Sequence, residues 1–286
     1  MKKIHLKSFC KINLSLKVLK KLSDGYHKIE SLITFCDVYD YISILNSKNN
    51  YDKIFFSGRF KSGIRNSENT ITKLLNILRK KNYLKSEKFI INIKKNIPHG
   101  SGLGGGSSNA ATLLQFFNYR FHLNINEKKI NEIAWKIGSD TPIGLCKKNT
   151  LINNKGKLVR LNKKFGLNIL IVYPNIVCST KKVYKKNKKY SLSEKQFSFD
   201  KSTKKQLISF LIKHNNDLET AAISLYPKIK KVINFIKFQN GCYFSRITGS
   251  GSACIGIFHD MKSAIYTKKL ISIKFPKYWS ITSKTI

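Results

Sequence analysis

Apolar and polar residues alternate from the start of the chain. Ile4, Leu6, Cys10, Ile12, Leu14, Leu16 and Val18 fall on even positions, and Lys7, Lys11, Asn13, Ser15 and Lys17 on odd ones. A period of two is that of a strand with one face in a core, so Lys11 and Asn13 share the opposite face, where a lysine is ordinarily solvated. Asp24-Gly25 then marks a hairpin or tight turn, and Tyr26 and His27 open a strand or short helix running to about residue 35. Further strands are predicted at about 37–44, 52–60 and 89–97. Asn66-Ser-Glu-Asn-Thr70 caps a helix to about Lys81, and Asn126 caps one over 127–137 that ends at Gly138. Beyond these, the pattern gives an apolar strand at 167–173, a helix starting at Asn215-Asn-Asp-Leu-Glu219, a helix at 262–271 and a last strand at 279–282. The Lys/Ser-rich stretch 185–205 reads as a poorly ordered loop or weak helix. No internal repeat is present.

The densest punctuation lies between the strand at 89–97 and the helix that follows it. Gly100, Gly102, Gly104, Gly105 and Gly106 lead into Ser107, Ser108 and Asn109, all competent N-cap residues, and then into the apolar helical face of Ala110, Ala111, Leu113, Leu114, Phe116 and Phe117. A glycine loop entering a helix offers unpaired N–H groups and the positive end of the helix dipole to an anion. A tight turn without ligand is the plain alternative, but five glycines carry a backbone-entropy cost that such a turn does not need. Three phosphate loops compete. No lysine follows the glycines as the Walker type requires. Gly100, Gly102 and Gly105 match Gly-x-Gly-x-x-Gly, yet the nearest acid at the dinucleotide spacing, Glu127, opens a helix rather than closing a strand. The companions of a protein-kinase loop are absent.

Composition bounds the rest. A chain of 286 residues with 42% hydrophobic and 12% aromatic residues is long enough for two domains and is not disordered. Lys+Arg 54 against Asp+Glu 15 gives a net charge of +39. Alone this suggests nucleic acid or an anionic surface as partner. The basic residues are instead scattered in short clusters such as Arg79-Lys80-Lys81 and Lys163-Lys164, which reads as a solvated surface. The six cysteines show neither C-x-x-C nor Cys/His metal spacing and read as reduced thiols. With no signal-peptide run and no window near the ~18 apolar residues of a span, a soluble, cytoplasmic protein is expected.

Several segments carry a resemblance. Pro98-His-Gly-Ser-Gly-Leu-Gly-Gly-Gly-Ser-Ser108 resembles the Pro-x3-Gly-Leu-Gly-x-Gly-Ser-Ser loop of the GHMP kinases; Cys10-Lys-Ile-Asn-Leu14 resembles their first strand; and Thr248-Gly-Ser-Gly-Ser252 resembles their third motif. Asp24-Gly-Tyr-His27 is similar to the 4-diphosphocytidyl-2-C-methyl-D-erythritol kinase branch of that family. The resemblance covers nearly the whole chain. It implies an α+β, two-domain GHMP kinase fold, with an N-terminal ribosomal S5-like domain over residues 1–150 and a C-terminal α/β-plait domain over 151–286.

It also implies an ATP-dependent, Mg²⁺-assisted kinase acting on the 2-hydroxyl of a small cytidine-diphosphate substrate of the non-mevalonate isoprenoid route, with no specific nucleic-acid and no membrane partner. Asp140, in Gly138-Ser-Asp-Thr-Pro142, matches the family's catalytic base, and Lys11 supports charge at the reacting centre. Asp140 before Thr-Pro is equally a good N-cap, and both roles are compatible. Pro98, His99, Gly100, Ser101, Gly102, Leu103, Gly104, Gly105, Gly106, Ser107 and Ser108 are the implied ATP loop. Tyr26 is implied to stack on cytosine, His27 to hydrogen-bond it and Tyr184 to close the stack, with Asn13, Thr180, Gly249, Ser250 and Gly251 facing the substrate. Asn215 to Glu219 resembles the family's N-D-L-E, with capping and packing as its expected job. No carboxylate ligand for Mg²⁺ is identifiable, which leaves ATP and Ser107 or Ser108. His99, Ser101, Cys10 and Ile33 depart from the usual pattern. A sister kinase for homoserine or mevalonate, and a nucleic-acid binder driven by charge, are the rival readings.

Overall fold

The computed structural model describes residues 3–193 and 197–286. In chain order the elements are β1 (Ile4–Asn13), β2 (Lys17–Lys21), β3 (His27–Asn46), β4 (Lys53–Ser57), α1 (Thr70–Lys80), β5 (Phe89–Lys94), α2 (Gly105–Arg120), α3 (Glu127–Ile137), α4 (Thr141–Gly144), β6 (Thr150–Ile152), β7 (Leu158–Arg160), β8 (Asn168–Tyr173), α5 (Thr180–Lys186), α6 (Lys204–Lys213), α7 (Glu219–Leu225), α8 (Lys228–Lys237), β9 (Cys242–Ile247), β10 (Cys254–Phe258), α9 (Met261–Lys274) and β11 (Trp279–Lys284). The α+β class stands. The segments read separately at 27–35 and 37–44 are one strand of 20 residues, because every residue from Ser31 to Cys36 is buried and the alternation resumes at Asp37 without a break.

Two compact units divide the chain: Met1–Lys11, Val38–His99 and Gly104–Lys147 form one, and Ile12–Asp37, Gly100–Leu103 and Lys148–Ile286 the other. In the first unit β5 pairs antiparallel with the second half of β3, from Tyr41↔Lys94 to Asn46↔Phe89, and parallel with β4. Its core joins the inward residues Ile42, Ile44, Phe89, Ile91 and Ile93 to the apolar stripes of α1, α2 and α3, among them Leu74, Leu78, Leu113, Phe117 and Ile133. The caps predicted for α1 and α3 are present: Asn69 accepts the N–H groups of Ile71 and Thr72, and Asn126 that of Lys129.

The second unit is built on an antiparallel sheet in the order β11-β8-β10-β9. All six residues of β8 are buried, so this central strand is covered on both faces. Ile229, Val232 and Ile236 of α8 and Ala264 and Ile271 of α9 pack with Leu170, Val172, Ile247, Cys254 and Phe258 of the sheet, and Leu16 and Val18 join the same core. The first half of β3 pairs with β2 and β6, and β6 with β7. In the stretch read as a poorly ordered loop, Asn187 and Phe199 are buried and the Ser191 N–H donates to Val18 O at 2.9 Å; 194–196 lie outside the described residues, as do the first two residues.

Candidate active site

In the first unit the chain carries Lys11 and Asp140. Lys11 lies two residues before the end of β1, an alternating strand, but the face expected to be solvated is covered: Lys11 and Asn13 are each only 4% exposed. Lys11 Nζ stands 3.3 Å from Asp140 Oδ2, whose side chain is 41% exposed. Asp140 precedes the single turn of α4 and makes no side-chain capping bond. The capping role expected for it is therefore not used, because the carboxylate is directed to Lys11 instead. A partly exposed carboxylate held by a buried lysine is oriented and reachable, which is what proton acceptance from a substrate hydroxyl requires.

The glycine loop leaves β5 and enters α2. Gly100, Gly102 and Gly104 adopt φ of +60°, +82° and +70°, where a side chain is strained. Gly104 is itself the N-cap of α2, and the helix begins at Gly105. The residues expected to cap it, Ser107, Ser108 and Asn109, lie inside the helix. With glycine at the cap, no side chain closes the helix end, and its N–H groups and dipole are left for an anion. Ser107 is half-buried, whereas Ser108 is buried with Oγ 3.7 Å from where a Cβ on Gly144 would sit. Ser101 and Leu103 are buried and Pro98 is covered, so the loop presents mainly backbone. His99 donates from Nε2 to the Ser62 carbonyl at 2.8 Å.

Within the second unit, residues 100–103 are joined to the third motif. Ala253 N–H donates to Ser101 O at 3.0 Å and Cys178 N–H to Gly100 O at 3.1 Å. A Cβ on Gly102 would run into the Thr248 carbonyl oxygen and lie 3.1 Å from that of Gly251. Asn13 donates its N–H to Thr248 Oγ1 and its side-chain amide to Ser31 Oγ, both at 2.8 Å. Thr180 Oγ1 and Ser250 Oγ share a hydrogen bond of 2.9 Å. The His27 and Tyr184 rings lie 4.8 Å apart, inclined at 35°, and Tyr26 is 67% exposed at the hairpin tip. Partial burial, then the charge of Lys21, lower the His27 pKa from its ordinary value. A neutral imidazole beside two tyrosines offers a donor, an acceptor and stacking surface, which suits a flat heterocycle.

The chain matches the family models for the GHMP kinases N terminal domain over residues 69–147 and for the GHMP kinases C terminal over 205–268. A relative from Pelagibacter ubique (strain HTCC1062), named 4-diphosphocytidyl-2-C-methyl-D-erythritol kinase, is 38% identical over 286 residues, covering 100% of both chains. The chain belongs to the GHMP kinase family. A relative of the same name from Wolbachia pipientis wMel is 33% identical, covering 98% of this GHMP kinase and 100% of the relative. Among solved structures, a 4-(cytidine 5'-diphospho)-2C-methyl-D-erythritol kinase superposes with a TM-score of 0.75 at 21% identity, covering 98% and 99% of the two chains. A homoserine kinase from Cytophaga hutchinsonii does so with 0.73 at 15%, covering 100% and 95%. These two structures share its fold.

Several supporting residues of this GHMP kinase escaped the sequence reading. Asn216, expected to cap and pack, donates from Nδ2 to the carbonyls of Ile247 at 3.1 Å and Gly249 at 2.8 Å, and so fixes the third motif. Glu219 accepts the Ile247 N–H at 2.9 Å, and burial raises its pKa. Arg246, 3% exposed, donates to the carbonyls of Leu14, Leu211 and His214, and burial lowers its pKa to about 10. The buried pair Asp40 and Lys95 was also missed. Its signal was in the alternation: Asp40 is in phase with Val38, Ile42 and Ile44, and Lys95 with Phe89, Ile91 and Ile93, so both charges fall on core faces.

Proposed function

We propose that this GHMP kinase transfers the γ-phosphoryl group of ATP to the 2-hydroxyl of 4-diphosphocytidyl-2-C-methyl-D-erythritol, a step toward isoprenoid precursors by the non-mevalonate route. The observation that carries the chemistry is the Lys11–Asp140 pair at 3.3 Å, one partner buried and the other reachable. Asp140 accepts the proton of the attacking hydroxyl; its oxygen bonds to the γ-phosphorus as the bond to the β-phosphate oxygen breaks, and ADP leaves. Lys11 orients Asp140 and offsets charge at the reacting oxygens. Pro98 to Ser108 hold the phosphates through backbone N–H groups and the start of α2. Catalysis on this reading is positioning and electrostatic stabilisation.

For the substrate, the support is the Asp24–His27 hairpin with its His27–Tyr184 contact, together with the full-length relatives of that name. Tyr26, His27 and Tyr184 take the cytosine, and Asn13, Thr180, Gly249, Ser250 and Gly251 the remainder. Residues 1–150 and 151–286 are the N- and C-terminal domains on this reading, although the compact units are not divided so simply: Ile12–Asp37 and Gly100–Leu103 belong with Lys148–Ile286.

Among the described residues no three or more His, Cys, Asp or Glu side chains converge, so a metal cage made by protein alone does not fit. A Mg²⁺ carried by ATP needs only one or two protein oxygens, and the half-buried Ser107 hydroxyl meets that need better than buried Ser108. When bound, the ion would neutralise charge on the phosphates. Among the described residues no helix is long and apolar enough to cross a membrane.

The test is ADP release from Mg-ATP with 4-diphosphocytidyl-2-C-methyl-D-erythritol, homoserine and mevalonate in parallel. Turnover of the cytidyl substrate alone, inhibited by CMP or CDP, is expected. Turnover of homoserine or mevalonate instead would keep the kinase and overturn the substrate.

A further inference from the structure

Among the described residues of the first unit, the most deeply buried ion pair is not the one proposed for catalysis. Lys95 and Asp40 are 2% and 0% exposed, with Lys95 Nζ on Asp40 Oδ2. The other carboxylate oxygen accepts two successive backbone N–H groups, from Asn96 at 2.7 Å and Ile97 at 2.9 Å. Asn96 in turn donates from Nδ2 to Tyr39 O at 3.0 Å. These residues are the link between the end of β5 at Lys94 and Pro98, where the chain leaves the sheet for the phosphate loop. At the far end of that loop, Lys95 Nζ lies 3.3 Å and Ile97 Cγ2 3.0 Å from where a Cβ on Gly105 would sit, the first residue of α2. One buried pair therefore touches both ends of the loop.

Stability alone is a poor reason for such a pair. Desolvating two ions offsets most of their attraction, and apolar replacements are often as stable. An ammonium beside the positive end of a helix is further disfavoured unless a carboxylate accompanies it. We propose that Asp40 and Lys95 are positioning residues for the nucleotide: the pair fixes where the loop starts and where α2 begins, so that the backbone N–H groups are preorganised for the phosphates of ATP. Neither residue touches the phosphates in this scheme. Preorganised donors gain their advantage by needing no rearrangement when the anion arrives.

The proposal rests on the reading of residues 98–108 as the ATP loop, and the test separates the two. ATP binding to the full chain is measured by calorimetry without acceptor alcohol, for the wild type, Lys95→Met, Asp40→Asn and the double variant Asp40→Asn/Lys95→Met. The double variant carries no buried charge and keeps an oxygen for the two N–H groups. Thermal unfolding and hydrogen exchange over 95–106 are followed alongside. Expected is a loss of ATP affinity of about tenfold or more and of kcat/KM up to about 100-fold, with the acceptor KM within about twofold. Faster exchange should be confined to the loop in at least one variant that keeps the wild-type melting temperature. A folded variant that binds ATP within about twofold of wild type overturns the proposal. So does a double variant that cannot fold, which would assign the pair to stability. A wild type that binds no ATP would instead overturn the kinase reading itself.

Discussion

At the scale of single residues, Asp140 is the sharpest case, because its structural and chemical roles separate. Its carboxylate caps nothing and is 41% exposed, so removing its charge should leave the fold nearly untouched. Asp140→Asn is expected to lower kcat by about 10²–10⁴-fold, the usual contribution of a positioned base, with the KM for ATP and the melting temperature little changed. Steady-state kinetics and a thermal scan on one preparation decide it. A melting temperature that fell with activity would assign Asp140 to structure. His27 makes a second prediction through its lowered pKa, caused by burial and then Lys21. The unfolded imidazole binds a proton more readily than the folded one. His27 therefore contributes stability that is fully present above the ordinary value of 6.5 and is lost as pH falls through its folded value. If neutral His27 contacts the cytosine, the KM for the cytidyl substrate should rise on acidification below that value while the KM for ATP stays flat. A pH–KM profile of wild type against His27→Asn, whose KM should not follow that curve, provides the check.

At the scale of elements, the glycine loop shows what the sequence made legible and what it hid. Glycines before a helix announced the loop, but not which of them cap it. Three serine or asparagine hydroxyl and amide groups were available, and the helix instead starts at Gly105 behind a left-handed Gly104. The reason is lateral packing: a Cβ on Gly104 would lie 2.8 Å from Lys11 Cγ, a neighbour distant in sequence. Period-two alternation gave β1 its faces and located Lys11 and Asn13 together. It could not show that their face is covered, since what covers a strand is tertiary. The single 20-residue β3 was split because an unbroken buried run hides the period. Packing also grades the glycines. Gly102 and Gly156 have similar φ, +82° and +74°, but a Cβ on Gly102 meets two carbonyl oxygens and one on Gly156 meets nothing within 4 Å. Gly102→Ala is expected to destabilise by about 2–5 kcal/mol, strain plus collision, and Gly156→Ala by about 1–2 kcal/mol, strain alone. Urea unfolding of the two variants compares them directly, and equal losses would refute the collision.

At the scale of the whole molecule, the net charge of +39 is the property that the site does not explain. Both proposed substrates are polyanions, so a positive field should speed their arrival and fade with ionic strength. The same field would draw nucleic acid, and the two consequences differ in what salt does to each. If the charge serves only as a solvated surface with incidental steering, raising NaCl from about 0.02 to 0.3 M should lower kcat/KM for both substrates several-fold while kcat holds, because only encounter is screened. Over the same range the melting temperature should rise, since screening relieves repulsion among like charges. Binding to an unrelated RNA should fall steeply and be weaker than about 10⁻⁶ M at physiological salt, the range of non-specific association. Kinetics, a thermal scan and fluorescence anisotropy with labelled RNA across one salt series read all three. RNA binding tighter than that, with a shallow salt slope, would mean that part of the surface recognises nucleic acid through contacts other than charge. The scatter of lysines in short clusters along the chain argues against it, because shape or base recognition needs donors and aromatic surfaces gathered on one element.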